Sequence, residues 1–198
     1  MGRVMKPLRE MGASIEGKND NFCPLTLYPS ELHGIEYRLP VASAQLKSAI
    51  LLAGLYAEGQ TTVIEPAPSR DHTERMFRAL GVEIETNGST ITLDPPEDLH
   101  AVDIAVPGDI SSAAFFLVAG AIVPGSELTI KNVGVYPTRT GVLDVLRDMG
   151  ADITESNFRD EAEPMCDLTV KYSKLHGVEI GGAIIPRLID ELPVIAVA

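Results

Sequence analysis

The segment Leu8-Arg9-Glu10-Met11-Gly12-Ala13-Ser14-Ile15 recurs twice along the chain. Its later copies are Phe77-Arg78-Ala79-Leu80-Gly81-Val82-Glu83-Ile84 and Leu146-Arg147-Asp148-Met149-Gly150-Ala151-Asp152-Ile153, and both glycine-to-glycine spacings are 69 residues. Each copy is typical of the last turn of an amphipathic helix, a left-handed glycine cap and a following strand. Similarity at a fixed spacing indicates one supersecondary unit that is used repeatedly.

A second segment recurs with the first. Leu32-His33-Gly34-Ile35-Glu36 corresponds to Leu99-His100-Ala101-Val102-Asp103 and to Leu175-His176-Gly177-Val178-Glu179. Because the three histidines occupy one repeat position, a turn-and-strand role common to the units is favoured over a ligand role for each histidine.

One full period predicts six elements in the order α, β, α, β, β, β. These are helices over 43–57 and 70–80 and strands over 61–65, 82–85, 90–93 and 101–106. The dipeptide Asn87-Gly88 predicts the turn of a β-hairpin. Met76, Phe77 and Leu80 are expected on the apolar side of the second helix.

The helices at 43–57 and 109–123 are apolar on nearly every side. Leu52 in the first, and Phe115 and Phe116 in the second, are examples. Such helices belong inside a domain with sheet around them, which predicts an α/β (α+β) fold. The chain opens in the second helix of one unit and stops in the first helix of another, so we expect it to be a piece of a longer protein.

Composition narrows the function. The 198 residues carry a formal net charge of −12, which argues against a nucleic-acid partner, because phosphate neutralisation needs clustered Lys and Arg. No apolar run reaches the roughly 18 residues of a membrane helix, so we expect no membrane partner and a cytoplasmic location. Cys23 and Cys166 have no metal-ligand spacing and are predicted to be reduced structural thiols.

Polar clusters begin three predicted helices: Ser43-Ala44-Gln45, Asp109-Ile110-Ser111-Ser112 and Asp190-Glu191. Helix N-termini attract phosphate and carboxylate groups, but Ser and Asp are also common N-caps. Both interpretations stay open for Ser43 and Gln45, whereas capping is favoured for Asp109 and Ser111.

Two further residues have competing interpretations. Arg70 could grip an oxyanion with its guanidinium, or it could form a surface pair with Glu74 beside an Asp71 cap. Asp190, flanked by apolar residues, could be a cap or a carboxylate tuned for proton transfer, and capping is favoured from the residues alone. For Arg139, in Thr138-Arg139-Thr140, a capping segment is favoured.

Together these segments resemble the EPSP synthase family of enolpyruvyl transferases, in particular its class II bacterial members. The segments are Pro40-Val41-Ala42-Ser43-Ala44-Gln45-Leu46-Lys47-Ser48-Ala49, Ser69-Arg70-Asp71-His72-Thr73-Glu74-Arg75-Met76, Pro107-Gly108-Asp109-Ile110-Ser111-Ser112-Ala113-Ala114, Pro137-Thr138-Arg139-Thr140-Gly141 and Ile189-Asp190-Glu191. The resemblance covers the whole chain in order. It implies the inverse-prism fold of repeated βαβαββ units, with 1–106 as the later part of the first, shikimate 3-phosphate-binding domain and 107–198 as the earlier part of the second.

The resemblance also implies roles. Ser43, Ala44 and Gln45 would bind shikimate 3-phosphate, with Gln45 also near phosphoenolpyruvate. Arg70 would contact the phosphorylated substrate, and Asp190 would bind the substrate hydroxyl and accept its proton. The family joins the 5-hydroxyl to the enol carbon of phosphoenolpyruvate and expels phosphate, and it implies no metal and no cofactor.

Several expectations concern the parent protein. The family's other cationic segments would lie outside 1–198, so this chain alone is predicted to be inactive, and the full-length protein is expected to be a monomer with small-molecule substrates. Alternatives are a UDP-N-acetylglucosamine enolpyruvyl transferase and a non-catalytic module built from the same repeat.

Overall fold

The structure, a computed structural model, describes residues 1–160 and 162–198. The chain divides into two compact units, Met1–Asp103 and Ile104–Ala198. Among the described residues, no helix is long and apolar enough to cross a bilayer.

The first unit alternates short helices with short strands. Its elements are α1 (Gly2–Glu10), β1 (Ser14–Lys18), β2 (Phe22–Tyr28), β3 (Leu32–His33), β4 (Glu36–Arg38), α2 (Ala44–Gly54), β5 (Ala57–Glu58), β6 (Thr61–Ile64), α3 (His72–Ala79), β7 (Ile84–Asn87) and β8 (Thr90–Leu93).

The principal sheet of this unit has the strand order β4-β6-β8-β7. β4 runs parallel to β6, whereas β8 is antiparallel to both β6 and β7. β1 and β2 form a separate antiparallel pair, and β3 pairs in parallel with β5. Alternate residues of β6 and β8 are buried, which is the period-two pattern of strands with one covered face.

The second unit repeats the same succession with longer strands. Its elements are α4 (Ile110–Ile122), β9 (Glu127–Gly134), α5 (Gly141–Asp148), β10 (Asp152–Asp160), β11 (Pro164–Lys171), a 3₁₀ helix (Gly182–Arg187) and α6 (Leu192–Ile195). Its antiparallel sheet has the order β10-β11-β9. The succession α4, β9, α5, β10, β11 therefore corresponds to α2, β6, α3, β7, β8.

Each unit has its own apolar core. In the first unit, Leu46, Ile50 and Leu51 of α2 pack into one cluster with Phe77 of α3 and Ile91 of β8. The second cluster combines side chains of α4, α5, β9 and β11. Its most buried members include Ile110, Leu117, Leu146, Leu168 and Val170.

The glycine caps occur at all three predicted positions. Gly12, Gly81 and Gly150 have φ values of 99°, 84° and 96°. These values lie in the left-handed region that glycine adopts without strain. In each copy the residue after the glycine donates to the carbonyl five residues earlier, as Ala13 N does to Leu8 O at 2.9 Å. The repeat at 69-residue spacing is thus confirmed.

The three histidines also share one environment. The backbone N–H of His33 donates to Met11 O at 2.8 Å, that of His100 to Leu80 O at 3.0 Å, and that of His176 to Met149 O at 2.9 Å. Each imidazole lies against the cap glycine of its own copy. We name this arrangement the glycine–histidine contact. It supports the structural role predicted for the histidines.

Four expectations about the elements are wrong. No strand covers 101–106, since this segment has no ladder partner among the described residues. A strand was expected at all three histidine copies. Only the first copy forms strands, where β3 and β4 pair with β5 and β6. The hairpin turn is Gly88-Ser89, because Asn87 pairs with Thr90. The first helix ends at Gly54, before the predicted 57.

Burial of the helices is also less complete than expected. The exposed fractions are 52% for Leu52, 62% for Phe115 and 60% for Phe116. Met76 is 44% exposed, whereas Phe77 beside it is buried. Each of these helices buries one face against its own sheet, and no described residue of its unit covers the opposite face to the same extent.

Candidate functional site

The first residues of α2 form one part of the predicted site. Ser43 is the N-cap residue, with an extended backbone, and its Oγ accepts from Leu46 N at 3.3 Å. The capping interpretation is therefore confirmed. It does not use the whole hydroxyl, because capping occupies an acceptor lone pair and leaves the O–H able to donate to an anion.

Gln45 lies in the first turn of α2, and its side chain is exposed. Its Oε1 accepts from Arg3 Nη2 at 2.8 Å. Because the guanidinium occupies the amide oxygen, the Nε2 group is the part of Gln45 that can donate to a ligand. No pattern of residues predicts this contact, since Arg3 lies 42 residues earlier on α1.

Arg70 lies in the connection between β6 and α3 and is half-buried. Together with Ala44 and Gln45 it lines one cavity of about 410 Å³. The described lining includes no carboxylate, although the chain as a whole is strongly acidic. Ser48 of α2 and Thr73 of α3 join across this cavity through a 2.6 Å hydroxyl–hydroxyl hydrogen bond. Three of the predicted substrate-binding residues are thus brought together.

The prediction that Glu74 forms a surface pair is wrong, because Glu74 is only 2% exposed. Glu74 instead lies 2.6 Å from Lys47 Nζ, which also contacts Glu65 Oε2 at 3.1 Å. Asp71 is the N-cap residue of α3, as predicted, but its side chain makes no capping hydrogen bond and instead pairs with Arg75 at 2.8 Å.

The buried cluster of Lys47, Glu65 and Glu74 was missed by the sequence reasoning. One signal could have revealed it. Lys47 interrupts a run of apolar and small residues in α2, and a lysine at such a position must either reach solvent or meet a buried carboxylate.

In the second unit, Asp109 caps α4 as predicted, accepting from Ser112 N at 2.9 Å. Partial burial alone would raise the pKa of Asp109. The hydrogen bonds from Ser112 and the nearby charge of Arg139 outweigh that effect and hold the pKa below its ordinary value.

Within the predicted capping segment 138–140, Thr140 is the N-cap residue of α5, without a side-chain capping hydrogen bond, whereas the Arg139 side chain reaches the start of α4. Its Nη2 donates to Asp109 Oδ1 at 2.9 Å and to Ser111 Oγ at 2.7 Å. The Ser111 hydroxyl in turn donates to Glu191, which is 3% exposed. This network ties the start of α4 to the segment that carries Asp190.

Asp190 lies between the 3₁₀ helix and α6, and its side chain is exposed. The N-cap position of α6 belongs to Glu191, so the capping interpretation of Asp190 is wrong. An exposed carboxylate next to a residue anchored by Ser111 can accept a proton from a ligand hydroxyl.

The first unit thus combines repeated βα elements with a cavity that is lined by a cation and by the start of a capped helix. The sequence model of EPSP synthase (3-phosphoshikimate 1-carboxyvinyltransferase) matches residues 1–198. The chain belongs to the EPSP synthase family.

Similar proteins agree with this assignment. A 3-phosphoshikimate 1-carboxyvinyltransferase of Geobacillus thermodenitrificans is 60% identical over 99% of this chain and 46% of its own length. One from a Thermoanaerobacter species is 57% identical over 100% of this chain and 47% of its own length. The chain spans about half the length of the curated relatives it matches.

The fold has a solved counterpart. The structure of EPSP synthase from Acinetobacter baumannii superposes with a TM-score of 0.92 and 48% identity, covering 98% of this chain and 45% of that one. The predicted α/β inverse-prism fold class is confirmed by this similarity.

Proposed function

We propose that the full-length parent of this chain transfers the enolpyruvyl group of phosphoenolpyruvate to the 5-hydroxyl of shikimate 3-phosphate and releases phosphate, a step of aromatic amino acid biosynthesis. The observation that carries the proposal is the cavity lined by Ala44, Gln45 and Arg70, with no carboxylate in its described lining. Membership of the EPSP synthase family supplies the reaction.

The phosphorylated substrate is the proposed ligand of this cavity. Ser43 and Gln45 each retain a donor for phosphate oxygens, and the N–H groups at the start of α2 add partial positive charge. Arg70 supplies the formal charge and a two-pronged donor geometry. Gln45 is also proposed to lie near phosphoenolpyruvate in the assembled enzyme.

Asp190 is the proposed proton acceptor. Protonation of the enol methylene makes the central carbon of phosphoenolpyruvate cation-like, and the 5-hydroxyl oxygen attacks it while its proton passes to Asp190. The resulting tetrahedral adduct then expels phosphate and loses a proton from its methyl group, which restores the C=C double bond and yields the enol ether product. Anion clamps hold both substrates during these steps.

The proposed assignment of residues to domains follows from the two-domain organisation that the family resemblance implies. We propose that 1–106 is the later part of the shikimate 3-phosphate-binding domain and that 107–198 is the earlier part of the second domain. Residues 1–198 alone are predicted to be inactive. The absence of a metal or cofactor requirement, the monomeric state and the cytoplasmic location stay predictions.

The test measures phosphate release by the full-length protein. Release is expected when shikimate 3-phosphate and phosphoenolpyruvate are both present and not with either alone. Replacing shikimate 3-phosphate with UDP-N-acetylglucosamine tests the sister reaction, and the relatives' names favour the shikimate substrate. A correctly folded full-length protein that binds neither substrate would support the non-catalytic alternative and contradict the proposal.

A further inference from the structure

Lys47 of α2, two residues after Gln45, is buried together with two carboxylates. The exposed side-chain fractions are 1% for Lys47, 3% for Glu65 and 2% for Glu74. We propose that Glu65, held by Lys47, is a positioning residue that fixes Arg70 relative to Ser43 and Gln45. The inference rests on the proposed function, and it assigns a role to residues that do not line the cavity.

The contacts form a continuous chain from one side of the site to the other. Lys47 follows Gln45 by two residues on α2, and its Nζ donates to Glu65 Oε2 at 3.1 Å. Glu65 follows the last residue of β6 and accepts from the Ser69 hydroxyl through its other oxygen. The backbone N–H of Ser69 also lies 3.4 Å from Glu65 Oε2. Ser69 directly precedes Arg70, so the backbone entering Arg70 is tied to α2.

Burial restricts the side chains of this linkage to one arrangement. A charge removed from water needs well-placed partners, so the three side chains adopt one arrangement in which their hydrogen bonds are made. The segment around Ser69 and Arg70 has no regular secondary structure of its own. Its position therefore depends on side-chain bonds, and Glu65 provides two of them.

Glu74 offers a matched control, because its two oxygens are used differently. Oε1 contacts Lys47, whereas Oε2 is buried and has no hydrogen-bond partner among the described residues. A Glu74→Gln change can keep the oxygen on Lys47 and place the new NH₂ where no bond is lost. A Glu65→Gln change cannot do the same, because both oxygens of Glu65 are occupied and an NH₂ group cannot accept from Ser69 or Lys47.

The experiment compares full-length Glu65→Gln and Glu74→Gln enzymes with the unaltered protein. Glu65→Gln is expected to raise KM for shikimate 3-phosphate about tenfold, the effect of losing one hydrogen bond to a charged group. KM for phosphoenolpyruvate is expected to change by less than about twofold. Glu74→Gln is expected to leave both constants within about twofold. Thermal unfolding of both variants separates a general loss of stability from a local one.

Ser69→Ala is the second variant, since it removes the hydroxyl without altering the buried charges. It is expected to raise KM for shikimate 3-phosphate as well, and the Glu65→Gln/Ser69→Ala double change is expected to add little to the larger single effect. Full additivity, or equal effects of Glu65→Gln and Glu74→Gln on KM, would overturn the inference.

The two proposals fail differently. If the unaltered full-length protein has no turnover, the proposed function fails. If it turns over normally and neither Glu65→Gln nor Ser69→Ala changes KM for shikimate 3-phosphate, only the positioning role fails.

Discussion

Arg3 Nη2 donates to Gln45 Oε1 at 2.8 Å and so joins α1 to the first turn of α2. The contact places a guanidinium beside the proposed phosphate site and determines which end of the Gln45 amide faces outward for ligand binding. Arg3, which belongs to none of the recognised sequence segments, thereby orients the NH₂ donor of Gln45, which belongs to one.

Arg3→Ala in the full-length protein is expected to weaken binding of shikimate 3-phosphate on the order of fivefold, because the Gln45 amide loses its orienting partner and about 1 kcal/mol with it. Titration calorimetry measures the change in Kd. Lys6→Ala is the matched control, since it removes the same charge from the exposed side of the same helix. An equal loss in Lys6→Ala would mean that only long-range charge matters.

Gly12→Ala is expected to destabilise the fold by more than Gly59→Ala. Both residues have positive φ, 99° and 83°, so both substitutions incur about 1 kcal/mol of backbone strain. An added Cβ at Gly12 would also lie 2.7 Å from Glu31 O, whereas nothing lies within 4 Å of one at Gly59. Urea unfolding of the full-length variants measures the difference, and equal midpoints would contradict the close approach.

Cys166 is expected to resist alkylation in the folded protein while Cys23 reacts. Cys166 is buried, and burial, with smaller contributions from the charges of Glu155 and Asp167, raises the pKa of its thiol to about 11. The thiolate is the reactive form, so labelling of Cys166 should increase about tenfold per pH unit below that value. Peptide mapping after iodoacetamide treatment of the full-length protein at pH 8 measures both sites. Equal labelling of Cys166 and the exposed Cys23 would contradict the prediction.

The stabilising effect of Asp109 is expected to vanish in acid. Its pKa is held below the ordinary 3.8, so the carboxylate stabilises the folded state above that value and loses its effect as pH falls through the lowered pKa. Asp109→Asn keeps an oxygen for the cap and removes the charge next to Arg139. The Tm difference between the unaltered and Asn proteins should therefore be larger at pH 7 than at pH 3. A difference independent of pH would assign the effect to shape and not to charge.

Local signals predicted much of the fold. The glycine caps, α2, α3 and the β7–β8 hairpin depend on residues close in sequence, and these elements occur where expected within a few residues. The prediction of a strand over 101–106 was wrong because a strand needs a pairing partner, and its own residues do not specify one. The predicted burial of Phe115 and Phe116 was wrong for a related reason. An apolar pattern indicates which side chains could be buried, but it does not indicate which residues would cover them.

The candidate site was predictable only in part. Ser43, Gln45 and Arg70 stand in recognisable segments, but the contacts that fix them come from Arg3 and Glu65. Those contacts are between side chains distant in sequence or hidden in the core, and composition alone places lysine and glutamate at the surface. The prediction that Glu74 forms a surface pair was wrong for this reason.

The glycine–histidine contact has a consequence for how the chain tolerates change in length. Gly12 and His33 are 21 positions apart, Gly81 and His100 are 19 apart, and Gly150 and His176 are 26 apart. The backbone hydrogen bond of the histidine N–H therefore joins the ends of chain segments of three different lengths, and each segment contains one hairpin. The number of residues between the cap glycine and the histidine can therefore differ from one unit to the next while the backbone bond that closes the segment is kept.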